Sequence, residues 1–119
     1  MSGYTVLGGN LQTKYTKLTT TSATTILDGG QSGATAVAIY ACEISGNTPT
    51  LSIDRYDGTT ATYVRPPGKA LASREEITKE VLLVLKAGEL LRATASAANQ
   101  VDVIVTYSPR DATAKGGAM

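Results

Sequence analysis

The 119-residue chain has no histidine, no phenylalanine, no tryptophan and a single cysteine. Without histidine, a Ser-His-Asp triad, a Cys-His pair and a histidine-ligated metal are excluded. One cysteine excludes an internal disulfide and a thiolate zinc site. Cys42, inside Ala38-Ile39-Tyr40-Ala41-Cys42, is expected to be a buried small apolar residue, with a reactive thiol as the alternative. A reducing site of synthesis is compatible with one free thiol. Eleven basic and ten acidic residues give a net charge of +1, without the basic excess that marks direct nucleic-acid binding. No run of about 18 apolar residues occurs, so no membrane span is expected. Met1-Ser2-Gly3-Tyr4 lacks the charged and apolar regions of a secretory leader. Gly68-Lys69 has no spaced upstream glycine, so it is not a phosphate loop.

What remains is a chain rich in Val, Ile, Leu, Ala and Thr. At this length, folding buries roughly two-thirds of the unfolded surface, enough for one domain with a core of its own. The pattern is that of strands. From Lys86 to Tyr107, Leu91, Ala93, Ala95 and Ala97 alternate with polar residues. After Ala98-Asn99-Gln100, Val101, Val103, Val105 and Tyr107 do the same. Period two places each row on one face, and the pair predicts a β-hairpin with a marginal stability of its own.

Upstream, Thr13–Leu27 predicts one or two Thr-rich strands, ended by Asp28-Gly29-Gly30-Gln31-Ser32-Gly33. Ala34–Ile44 is nearly continuously apolar, which predicts a strand covered on both faces. Leu51, Ile53 and Arg55 alternate with Ser52 and Asp54, and Thr60–Val64 returns. Between them, Asp57-Gly58 suits the two positive-φ positions of a type I′ turn. Arg65-Pro66-Pro67-Gly68 ends that pair, since proline cannot donate to a ladder. Over Ala70–Leu85, Ser73 and Arg74-Glu75-Glu76 permit a capped helix. Ile77, Val81, Leu83 and Leu85 hold period two, which favours a strand from Ile77 to Leu85. The expected organisation is an N-terminal arm (1–12), a β-sandwich (13–108) and a C-terminal tail (109–119). The sandwich is expected to be antiparallel and jelly-roll-like, with seven or eight strands.

Candidate chemistry is sparse. Asp54 and Asp57 flank the turn and Glu75 adjoins Glu76. Adjacent strand residues point opposite ways, which does not suit a glycosidase pair. All four are expected to be solvated turn or surface charges, an oxygen-ligand calcium site at Asp54 and Asp57 being the weaker alternative. Tyr40, Tyr56 and Tyr63 can stack on sugars or bases, or pack in a core or interface. Tyr4, Val6 and Leu7 form the one apolar patch of the N-terminal arm.

The stretch Val84-Leu85-Lys86-Ala87-Gly88-Glu89-Leu90-Leu91-Arg92-Ala93-Thr94-Ala95-Ser96-Ala97-Ala98-Asn99-Gln100-Val101-Asp102-Val103 resembles a segment of small β-sandwich virion proteins of tailed bacteriophages. There an apolar–x–Ala–Gly–acid–x–apolar turn leads into a strand ending Ser-Ala-Ala-Asn and then a valine-rich final strand. Leu18–Leu27 resembles their first strand, and Ser45-Gly46-Asn47 loosely matches a later break. The Arg65-Pro66-Pro67-Gly68 loop departs from that pattern. The likeness, over Leu18–Tyr107, implies a non-enzymatic particle component without cofactor or metal. It implies a virion location after synthesis in the bacterial host cytoplasm. The expected partners are the major capsid or other virion proteins and further copies of the chain. A head decoration (cement) protein is the first expectation, with the arm pairing onto a neighbour's sheet edge. The alternative is a neck, tail or fibre module that binds a host receptor or carbohydrate through Arg55, Tyr56 and Tyr63.

Overall fold

A computed structural model describes residues 11–110, so the expectations placed on Tyr4, Val6 and Leu7 lie outside the described residues. The described chain is all β, with nine strands and no helix. They are β1 (Gln12–Lys17), β2 (Thr24–Asp28), β3 (Ala34–Glu43), β4 (Leu51–Tyr56), β5 (Ala61–Arg65), β6 (Glu76–Lys79), β7 (Leu83–Leu85), β8 (Leu90–Ala95) and β9 (Val101–Pro109). Two antiparallel sheets form a sandwich. One runs β1-β9-β3-β6, with β7 also on β3, and the other runs β2-β8-β4-β5.

The inner faces supply the core. Val101, Val103 and Val105 of β9 and Ala34, Ala36, Ile39 and Ala41 of β3 pack against the second sheet. That sheet contributes Ile26, Leu27, Leu51, Ile53, Leu91, Ala93 and Ala95. With no Phe or Trp to fill space, alanine rows let the two layers approach closely.

Lys86–Tyr107 is not a hairpin. Its arms, β8 and β9, lie in different sheets. Each row faces the same core from opposite sides, an arrangement with the same period-two signature as a hairpin. The chain crosses between layers at Ser96–Gln100, where Asn99 takes φ 62°, a left-handed conformation that Asn tolerates better than most residues. The amide of Asn99 donates to the Leu18 carbonyl (2.8 Å), tying the crossing to the end of β1.

The apolar run of β3 also has a different cause from the one expected. It is covered on one face only. A bulge lies between Ala36 and Ala38, where Val37 has no partner in β9. The core row therefore moves from Ala34 and Ala36 to Ile39, Ala41 and Glu43. The residues that keep both parities apolar are one row shifted by one place. Cys42 consequently falls on the outer face, half-buried. A bulge at Ile26 in β2 similarly turns Ile26 and Leu27 inward together.

Strand, not helix, is found after Ala70, but in two pieces. β6 and β7 pair with successive parts of β3 and part where β3 bulges. Ile77, Val81, Leu83 and Leu85 all pack toward the core, so the period-two row survives the break. The Asp57-Gly58 turn is longer than the type I′ form. Four residues join β4 to β5, and only Gly58 has positive φ (100°). Asp57 Oδ1 accepts from the amides of Thr59 (2.9 Å) and Thr60 (2.7 Å), and these bonds pull its carboxyl below the usual range. A side chain that satisfies two loop amides replaces the positive φ that aspartate avoids.

Candidate functional site

On the outer face of the second sheet, β8, β4 and β5 align Arg92, Asp54 and Tyr63 in one row. Tyr56 lies two residues along β4, on the same face. Arg92 Nε and Nη2 donate to the two carboxylate oxygens of Asp54, at 3.3 and 2.7 Å. Its guanidinium stacks 3.8 Å from the centre of the Tyr56 ring. The Tyr56 hydroxyl donates to the Gly58 carbonyl (2.9 Å), anchoring the ring over the β4–β5 loop. The carboxylate bonds raise the Arg92 pKa against the opposing effect of burial. Asp54 is only 4% exposed, so it is not the solvated surface charge expected from its place beside a turn. Its burial comes from Arg92, a residue 38 positions away. Tyr63 remains 51% exposed at the margin of this cluster.

Of the expected site residues, Tyr56 and Tyr63 come together on this face. Arg55 pairs with Leu91 and Thr62 and so lies on the opposite face of the sheet. Arg92 was the residue the sequence hid. Its alternation with Leu91 and Ala93 assigned it to an outer face, but nothing marked β4 as its neighbour. Among the described residues no group of three or more His, Cys, Asp or Glu gathers to hold a metal.

The first sheet also presents a distinct outer face. Tyr15, Ile104, Tyr40 and Thr78 form one row across β1, β9, β3 and β6. Lys17, Asp102, Cys42 and Glu76 form the next. Lys17 Nζ lies 3.8 Å from Asp102 Oδ1. Tyr15 is 71% exposed. Burial raises the Tyr40 hydroxyl pKa, and the nearby Glu76 carboxylate adds to the effect.

Two buried charges brace the loops rather than face a ligand. Arg65 donates to the carbonyls of Leu51 (2.8 Å), Ala70 (2.9 Å) and Lys69 (3.3 Å), folding the proline loop back onto β4. Glu43 accepts from the amides of Gly46 (2.8 Å), Ser45 (3.0 Å) and Arg74 (3.0 Å) and from the Ser45 hydroxyl. Burial alone pushes its carboxyl up, but these donors outweigh burial and bring it down to about 2.

A cleft of about 420 Å³ opens between the sheets, lined by Lys14, Leu27, Asp28–Ala34, Tyr107, Pro109 and Arg110. Its glycine-rich rim is held by the Lys86–Glu89 turn. Gly29 donates to the Glu89 carbonyl and Gly88 to the Gly30 carbonyl, each at 2.8 Å. A side chain at Gly29 would meet the Lys86 carbonyl at 2.6 Å, which explains the glycine.

No family model and no curated protein matches the sequence. Solved structures do. A pentameric capsid protein isolated from metagenomic phage sequences aligns over 87% of this chain, with a TM-score of 0.50 and 17% identity. A second structure of a pentameric capsid protein from metagenomic phage sequences has a TM-score of 0.43 at 16% identity, again over 87% of the chain. This chain spans 63% and 65% of the length of those two chains. The cyanophage Pam1 capsid asymmetric unit aligns over 84% of this chain and 85% of that one, with a TM-score of 0.40 and 21% identity. What the first of these shares with this chain is the fold.

Proposed function

We propose that the chain is a non-enzymatic virion structural protein of a tailed bacteriophage. Its role is that of a capsid decoration (cement) protein that binds and stabilises the head shell through subunit contacts. The observation that carries this reading is the likeness in fold to a pentameric capsid protein over 87% of the chain. The resemblance of Leu18–Tyr107 to phage β-sandwich proteins supports it from the sequence side. The fold offers contact surfaces of the required kind: two outer sheet faces bearing Tyr15 and Tyr63, and the β1 edge, which no other strand among the described residues covers. Tyrosine and arginine concentrate binding energy at such contacts. A second reading, a neck, tail or fibre module that binds a receptor or glycan, draws on the exposed Tyr63 beside the Arg92–Asp54 pair.

One experiment separates the two. Purified chain with a C-terminal label is added to heads and to complete particles of the phage that encodes it, and the label is located by electron microscopy. Saturable label over the whole head, with a higher particle rupture temperature, is the expected result. Label at one vertex or at the distal tail establishes the second reading, and no label on any particle overturns both.

A further inference from the structure

We propose that two copies of the chain pack the outer faces of their β1-β9-β3-β6 sheets together, about a two-fold axis that runs along the strands between β9 and β3. The inference rests on the structural reading above for the expectation that copies of the chain meet. It deepens that reading by naming the face through which they do.

The two outer sheet faces are not equivalent. On the second sheet, Arg92, Asp54 and Tyr56 satisfy one another, and Tyr63 is the large apolar side chain left exposed. On the first, Tyr15 is exposed and Ile104 and Tyr40 are half-buried in the same row. Val84 of β7 joins this face through its pairing with Thr35 and is 49% exposed. Leu82, two residues before it, is 73% exposed. An apolar face of this extent marks a contact surface, and among the described residues no third layer lies on it.

The charges on this face identify a second copy as its occupant. In the row Lys17, Asp102, Cys42, Glu76, the lysine stands on β1 at one edge and the glutamate on β6 at the other. Three strand spacings, about 14 Å, separate them, so they cannot pair within one chain. Among the described residues Lys17 approaches one carboxylate, Asp102 at 3.8 Å, and no cation pairs with Glu76. A two-fold axis along the strands exchanges the two edges and keeps each row level. Lys17 then lies over Glu76 of the partner subunit, and Glu76 over the partner's Lys17.

The apolar residues obey the same operation. Ile104 falls over the partner's Tyr40, and Tyr40 over the partner's Ile104, at the centre of the contact. Val84 and Ser108 both pair with Thr35, one step past the Tyr107–Gln12 pair. Val84 therefore falls over the position before Gln12 in the second copy, that of the partner's Leu11, a residue 44% exposed in the single chain. Such self-complementarity is the property of an isologous contact. Sheets packed face to face keep their strands within about 30° of each other, a tilt that the long Lys17 and Glu76 side chains accommodate. Four strands and four rows measure roughly 19 by 27 Å, so two copies together cover about 1,000 Å², the size at which specific association begins.

The test is sedimentation equilibrium on the purified full chain and on two charge reversals, Lys17→Glu and Glu76→Lys, at exposed positions where circular dichroism verifies folding. The unaltered 12.3 kDa chain is expected to sediment as a dimer. Each reversal alone sets like charges against each other at both pairs and is expected to raise the dimer Kd about tenfold. An equal mixture of the two variants restores both opposite-charge pairs in the mixed dimer and is expected to recover the affinity of the unaltered chain. The Lys17–Asp102 contact is lost in the Lys17→Glu chain with or without its partner, so the recovery reads the contact between copies alone. A monomer at all concentrations overturns the proposal, as does a dimer that neither reversal weakens or a mixture that shows no recovery. No readout uses phage particles, so a failure here is distinguishable from a failure of head binding.

Discussion

Arg92 is held by two kinds of contact, a bidentate carboxylate pair and a tyrosine face, and they fail differently when altered. Asp54 has only Arg92 to balance a nearly buried charge. Arg92 is more exposed and keeps Tyr56 and water when Asp54 is removed. Arg92→Ala is therefore expected to destabilise the fold by about 2–3 kcal/mol, the partial exposure of the pair placing it below a fully buried one. Asp54→Ala is expected to cost about half as much or less. Arg92→Lys is not expected to rescue, since an ammonium lacks both the fork and the flat face. Urea denaturation of the three variants measures the order, and a reversed order removes the buried pair from the account of stability. The sequence hid this pair because each residue alone has the alternation of an ordinary exposed strand position.

At the level of elements, strand positions and parity were legible, but partnership was not. Period two located β4, β8 and β9 closely, and the inward row of Ile77, Val81, Leu83 and Leu85 held through the break between β6 and β7. The same periodicity cannot tell a hairpin from a crossing between layers, because both turn one apolar row toward one core. Nor can it tell a strand covered on two faces from a bulged strand, as β3 shows. The facing of β9 is nonetheless sharp enough to test. Val103 is fully buried, while Ile104 sits in the outer row with Tyr15 and Tyr40. Val103→Asp is expected to abolish folding, through a buried charge with no partner. Ile104→Asp is expected to leave native β-sheet circular dichroism, at a cost of about 1–2 kcal/mol. Two soluble, native variants would show that β9 is not a core strand.

For the whole molecule, the missing histidine shapes the response to pH. No side chain has an ordinary pKa between pH 5 and 8, so stability is expected to be level there and to fall on the acid side. Glu43 sets much of that fall, because its four donors join the end of β3 to the loop after it and to the Arg74 turn, a junction to which the Arg74 side chain adds one bond, to the Ile44 carbonyl (2.9 Å). Its pKa is about 2 in the folded chain against an ordinary 4.5. A carboxyl lowered by folding stabilises the fold fully above its unfolded value and loses that contribution as pH falls toward its folded value. The window is therefore pH 4.5 to about 2, and Asp57, lowered by the Thr59 and Thr60 amides, acts in the same direction. Glu43→Gln retains the shape but loses the charge and half of the acceptors. At pH 7 it is expected to lower Tm by about 5–10 °C, and below pH 4.5 its Tm should converge on that of the unaltered chain. Parallel Tm curves across that window would mean that the Glu43 charge does not hold the loop, and that acid unfolding begins elsewhere in the sandwich.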